Sequence, residues 1–163
     1  MKHTISILVE NHAGVLARVA GLFARRGFNI DSLEVGSTED EKISRITIIA
    51  DGTAYTLEQI EKQLNKLIDV IKVRHLPAEE LLSRELVLIK VACQPSQRAE
   101  LISLAEIAKA KISDITVNTM TLELSDSVPR IKTFEELLRP YGIKETVRTG
   151  SIAMQKGGAS MKL

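Results

Sequence analysis

A chain of 163 residues with 44% hydrophobic content has material for one sizeable core or two small ones. Its 22 basic and 21 acidic side chains nearly cancel, and residues 1–77 divide ten against ten, so neither the chain nor either half carries the excess field that holds nucleic acid or an anionic membrane. The single cysteine, Cys93, excludes an internal disulfide and any paired-thiolate redox or metal centre.

The absence of any apolar run near the ~20 residues that span a bilayer, and of a leader-type start, makes a bacterial or archaeal cytoplasm the expected location. Ile5, Ile7 and Val9 recur at every second position, the period of a strand with one apolar face. The polar loop ENHAG ends it. Val15, Val19, Leu22 and Phe23, widened by Leu16 and Ala20, recur at helical spacing up to Arg26, with Gly27 as the stop. Strands follow over Ile30–Val35 and around Ile46, Ile48 and Ala50. Leu57, Ile60, Leu64 and Leu67 form a second helical stripe, and a strand over Val70–His75, with Ile71 and Val73 inward, closes the set.

The stretch LPAEELLS reads as a linker over residues 78–83, and the order then repeats. Leu86–Cys93 is an apolar strand, Pro95 opens a helix carrying Leu101, Ala105 and Ala108, and Ile112–Val117 is a strand. Met120, Leu122 and Leu124 alternate in the next strand. Ser127 suits a helix N-cap, with Pro129 in the first turn and Ile131, Phe134, Leu137 and Leu138 as the stripe, before Pro140 and Gly142 stop it. Ile143–Arg148 completes the second set. Residues 151–163, rich in Gly, Ser and Lys, read as a flexible tail.

The fold class is therefore α+β, two tandem ferredoxin-like βαββαβ sandwiches over residues 1–77 and 84–150, each with two helices on one face of a four-stranded antiparallel sheet. The fold hosts many activities, so the sites must decide. RNA recognition would need aromatic platforms on the first and third strands, and HTISILVE and SRITIIADG contain none. Metal carriage would need thiolates in the first loop, where NHAG stands. His12, without neighbouring ligands in sequence, reads as a solvated loop residue, so no metal site is assigned. His3, His12 and His75 lie at strand ends or in a loop with no fixed spacing to a nucleophile, and catalysis by this chain alone is not expected.

Small-molecule sensing fits better, at the junction of first strand and first helix. A glycine at position 14 lets a ligand approach the backbone, where orphan N–H groups and the helix dipole favour an anion such as an amino-acid carboxylate. Asn11 can bond a polar head group. The same two residues also make an ordinary strand-to-helix turn, the simpler reading of their spacing. The usual strand order 4-1-3-2 leaves the second strand at an edge, open to pairing with a second copy. Asn29 and Ile30 of one copy would then approach the NHAG loop of the other.

The run ENHAGVLARVAGLFARRGFNIDSLEVG, followed by ISRITI, closely resembles the N-terminal ACT domain of acetolactate synthase (acetohydroxyacid synthase) small subunits. SRELVLIKV, RAELI, AKISDI and LLRPYGIKETVRTGSIA resemble the C-terminal domain of the longer bacterial form. The resemblance implies a non-catalytic regulatory subunit, a homodimer through its ACT domains. Its partner would be a large catalytic subunit carrying thiamine diphosphate, magnesium and FAD, activated by this chain and made sensitive to feedback inhibition by valine. No cofactor is expected in this chain. The effector contacts implied are Asn11, Ala13, Gly14, Val15 and Leu16 of one protomer with Asn29 and Ile30 of its neighbour, Val15, Leu16 and Ile30 forming an apolar wall.

Two departures stand out: Ala13 replaces a frequent proline, and AEIAKAK replaces a more aromatic helix end in the second domain. Arg18, Arg25 and Arg26, on the exposed side of the first helix, and the acidic TEDEK are candidate contacts with the catalytic subunit. The alternative is a free-standing ACT regulator without an enzyme partner.

Overall fold

The computed structural model describes residues 1–162. It divides into two compact units, Met1–Leu82 together with the segment from Ser151 onward, and Ser83–Gly150.

In the first unit β1 (Lys2–Glu10), α1 (Val15–Arg25), β2 (Ile30–Ser37), β3 (Ile43–Asp51), α2 (Ala54–Leu64) and β4 (Val70–Leu76) follow in order. The sheet runs β2-β3-β1-β4, with β1 antiparallel to both neighbours and β2 at an edge. Alternation dictates the packing: Ile5, Ile7 and Val9 of β1, with Ile46, Ile48 and Ala50 of β3, face Val15, Val19, Leu22 and Phe23 of α1 and Ile60 and Leu64 of α2. α1 stops where Gly27 adopts a φ of +69°, with Gly27 N–H donating to Ala24 and Phe28 N–H to Phe23, a turn that satisfies the last carbonyls.

Ile71, expected inward, is 42% exposed. The β1–β4 register shifts between Leu8 and Val9, so Lys72 pairs with Leu8 and Val70 with Val9, and Ile71 is the extra residue of the bulge. Val70 and Val73 pack on the core in its place.

The second unit holds the bulk of β5 (Leu81–Ala92), α3 (Arg98–Ala108), β6 (Lys111–Ile115), β7 (Thr119–Asp126), α4 (Val128–Leu138) and β8 (Ile143–Gln155), with single 3-10 turns at Pro95–Gln97 and Arg139–Tyr141. Its sheet order is β6-β7-β5-β8. Val87, Ile89 and Val91 of β5 and Met120, Leu122 and Leu124 of β7 bury against Leu101, Ala105, Ile131, Phe134 and Leu138. Ser127 is the N-cap of α4, although its side chain makes no capping hydrogen bond, and Pro129 lies in the first turn. Leu137 is 49% and Val117 78% exposed, so these two contribute to no core; β6 ends at Ile115 and every residue of it is exposed.

The margins of the repeats differ from expectation. Residues 81–83 belong to β5 instead of a linker. Residues 151–155, expected in a flexible tail, continue β8. Ser151 and Ala153 are buried, and from there to Lys162 the chain lies against the face of the first sheet that the helices leave open. Ser151 N–H donates to Ser32 Oγ at 3.1 Å, Arg45 to the carbonyl of Ala153 at 2.7 Å, Arg74 to the carbonyl of Ser160 at 3.2 Å, and Lys72 to that of Lys162 at 2.5 Å. The physical reason is on that face, where Ser6, Leu8 and Thr47 are almost fully buried: a Leu left there would face water without cover. Leu163, also assigned to the tail, lies outside the described residues.

Candidate functional site

Gly14 is the N-cap of α1, with a φ of +88° that side-chain-bearing residues rarely adopt. As glycine it offers no side-chain acceptor to the first turn, so the N–H groups opening α1 meet no side-chain cap. Two ties hold the loop ahead of it. Asn11 N–H donates to the carbonyl of Lys42 at 2.7 Å and Asn11 Nδ2 to that of Glu41 at 2.8 Å, binding the loop to the β2–β3 turn. Glu10 N–H donates to the carbonyl of Asp69 at 2.9 Å, binding it to the turn before β4.

Asp69 is the centre of the charged contacts here. It is only 5% exposed, its Oδ1 lies 3.0 Å from His12 Nε2, and its Oδ2 lies 2.8 Å from Arg18 Nη1. That oxygen is buried with no donor in hydrogen-bonding alignment, so Arg18 answers its charge without satisfying its lone pairs. His12 Nε2 is also 3.3 Å from Glu10 Oε2. His12 Nδ1 lies 3.2 Å from the carbonyl of Ala13, a group that only accepts, so Nδ1 carries a proton. That hydrogen bond, followed by the charge of Asp69 and the contacts with Glu10 and Asp69, raises the His12 pKa above its ordinary value against the opposing effect of desolvation.

Of the residues expected to hold an effector, Asn11, Ala13, Gly14, Val15 and Leu16 are contiguous around the head of α1. Their side chains divide: Val15 is 3% exposed and belongs to the core, while Leu16, 43% exposed, faces outward. Asn29 and Ile30 lie at the other end of the same sheet. Ile30 pairs with Ala50, and Ala50 with His3, whereas the loop leaves β1 at Glu10, so seven residues at ~3.4 Å each put them about 24 Å apart within one chain.

Sequence reading missed Asp69, Glu10 and the ion pair of Arg18 with Asp69, although Arg18 is exposed as expected. The one available signal is Asp69 itself, a lone carboxylate in the apolar run LIDVIKV.

Comparison with known proteins decides the family. Residues 5–72 match the family model described as AHAS small subunit-like ACT domain, and residues 84–157 the one described as small subunit of acetolactate synthase. The probable acetolactate synthase small subunit of Archaeoglobus fulgidus is 50% identical, over 96% of this chain and 98% of its own length. The chain belongs to the acetolactate synthase small-subunit family. A second family member, from Methanothermobacter thermautotrophicus, is 51% identical over 98% of this chain and 95% of its own. The crystal structure of the acetolactate synthase small subunit from Thermotoga maritima, 38% identical, superposes with a TM-score of 0.92 over 98% of this chain and 99% of that one. The family thus accounts for both units, and for the ACT character of the first. Among the described residues no helix is long and apolar enough to cross a membrane.

Proposed function

We propose that this chain activates an acetolactate synthase large subunit and confers feedback inhibition by valine, bound where two ACT domains meet. The observation that carries the reading is the uncapped head of α1 at Gly14. Backbone N–H groups and the helix dipole there suit a carboxylate, and Asn11, whose Nδ2 is committed to Glu41, presents its side-chain oxygen to an ammonium group. Leu16 offers an exposed apolar surface to a branched side chain, and Ile30 would add to it from the second protomer; Val15 acts from beneath, fixing the loop.

The separation of Asn29 and Ile30 from the loop within one chain favours the dimeric site. Ser37, at the far end of β2, pairs with Ser44, which pairs with Val9 beside the loop. Antiparallel pairing of two β2 edges would therefore set the start of one β2 against the end of the other, and against the Asn11–Leu16 loop. A ligand touching both copies then biases their relative orientation, because it binds one arrangement better than another. Thiamine diphosphate, magnesium and FAD belong in this reading to the large subunit. Leucine and isoleucine are competitors, since one methylene is worth only about 1–3 kcal/mol of discrimination.

The test is to mix the protein with an acetolactate synthase large subunit and titrate valine. Activity should rise on mixing and fall with valine. Gly14→Asp, which puts a side chain and a negative charge in the carboxylate position, should keep the rise and remove the fall. Full valine sensitivity of that variant would refute the site, and failure to activate any large subunit would favour a free-standing regulator.

A further inference from the structure

His12 Nε2 faces the carboxylate oxygens of Glu10 at 3.3 Å and Asp69 at 3.0 Å, while its Nδ1 lies 3.2 Å from the carbonyl of Ala13. Three atoms able to ligate a metal, one imidazole nitrogen and two carboxylate oxygens, thus lie within 4.8 Å of one another, and one of their owners, Asp69, is only 5% exposed. Two carboxylates brought this close to one point favour a cation between them.

We propose that Glu10, His12 and Asp69 form a site for one divalent transition metal of the zinc type, bound by His12 Nε2 and one oxygen of each carboxylate, with a fourth position open to water. Ligand bonds of about 2.0–2.2 Å arranged tetrahedrally put donor atoms roughly 3.3–3.5 Å apart; His12 Nε2 lies 3.3 Å from Glu10 and 3.0 Å from Asp69, and all three atoms lie within 4.8 Å, so small side-chain shifts would complete the set. The surroundings match as well. A ligating imidazole ordinarily gives its other N–H to a carbonyl or carboxylate, and a ligating carboxylate is itself held by a second group; here Ala13 and Arg18 fill those roles. Arg18 sits on the oxygen of Asp69 that does not face His12, so it competes for no ligand position. The imidazole nitrogen selects for a zinc-type ion, since calcium and magnesium prefer shells made of oxygen alone. The entry side is open, since the side chains of His12 and Glu10 are 45% and 57% exposed.

A metal here would join the end of β1, the loop before α1 and the turn before β4, three segments now held by hydrogen bonds and ion pairs. The site stands on its own geometry, whether or not the neighbouring loop binds an amino acid.

The test uses the full-length protein, stripped with a chelator and titrated calorimetrically with zinc chloride, then with cobalt chloride read by visible absorption. One ion per chain is expected, with the intense absorption of four-coordinate cobalt. His12→Ala and Glu10→Gln change exposed side chains, so they should keep the circular dichroism of the parent while losing at least about tenfold in affinity. Cys93→Ser should bind as the parent does, because that thiol is fully buried. Absence of stoichiometric binding, or equal binding by the parent and by His12→Ala, would overturn the site. So would loss confined to Asp69→Asn, which would report only a disturbed loop.

Discussion

At Gly14 two separate requirements meet, a backbone conformation and an open approach, and they can be separated by substitution. A Cβ there would lie 3.5 Å from Arg18 Nη2, an ordinary contact, so the penalty is the φ of +88° alone. Gly14→Ala should therefore lower the stability of the first unit by about 1–2 kcal/mol, seen as a lower urea midpoint. His75 permits a prediction with a sign. Burial, and then the neighbouring His3 at 5.4 Å between ring centroids, lowers its pKa, against weaker opposition from Glu61 and Glu79. The folded chain thus binds this proton less readily than the unfolded chain, whose histidine titrates near ~6.5. Stability from this group is complete above that value and is lost as pH falls through it. Between pH 7.5 and 5.5 the urea midpoint of the parent should fall further than that of His75→Gln; parallel curves would refute the assignment. Glycine 14 was legible in the sequence because a turn residue beside a helical stripe has few other uses. Asp69 was not, because its partners Glu10, His12 and Arg18 lie more than 50 positions away and only the sheet brings them together.

Elements follow the same logic. Strands and helices with one apolar face were legible because burial repeats every two residues in a strand and every three to four in a helix, as in Ile5, Ile7 and Val9 against Val15, Val19 and Leu22. Where that rule lapses, periodicity misleads. Ile71 lost its inward position to a bulge, which no composition signals, and β6 is exposed at every residue despite Ile112 and Ile115. The edge strand β2 is the element on which assembly turns. Its last three residues are exposed, Val35 among them at 42%, and edge strands with open backbone groups pair readily with another copy. If two ACT domains join there, Val35→Lys should raise the dissociation constant of the dimer at least about tenfold in analytical ultracentrifugation, since a desolvated lysine costs more than the valine contact returned. The circular dichroism of the variant should match the parent, because Val35 contributes to no core cluster. An unchanged sedimentation profile would locate the dimer contact elsewhere.

At the scale of the whole chain, two sandwiches of one topology were legible from the repeated order of elements, but their boundary in sequence was not their boundary in space. The first unit is closed by residues from Ser151 onward, which composition marks as a tail because Gly, Ser and Lys bury little. Their hold is mostly polar: Arg45, Lys72 and Arg74 donate to main-chain carbonyls, and Arg74 also reaches Gln155 Oε1. Apolar cover comes from Met161, which lines a shallow cavity of about 270 Å³ with Leu8 and Ile43. The exposed hydrogen bonds of Lys72 to Lys162 and of Arg74 to Ser160 contribute little net stability, and a partly buried methionine adds on the order of 1 kcal/mol. Truncation after Gln155 should therefore cost about 1 kcal/mol in the first unit and lower its melting temperature by roughly 4–8 °C. The second unit, whose core from Val87 to Leu138 includes no residue of this segment, should melt as before. Calorimetry of the full and shortened chains checks this, the second transition serving as the internal reference. A drop shared equally by both transitions would mean that the segment stabilises the two units as one cooperative body.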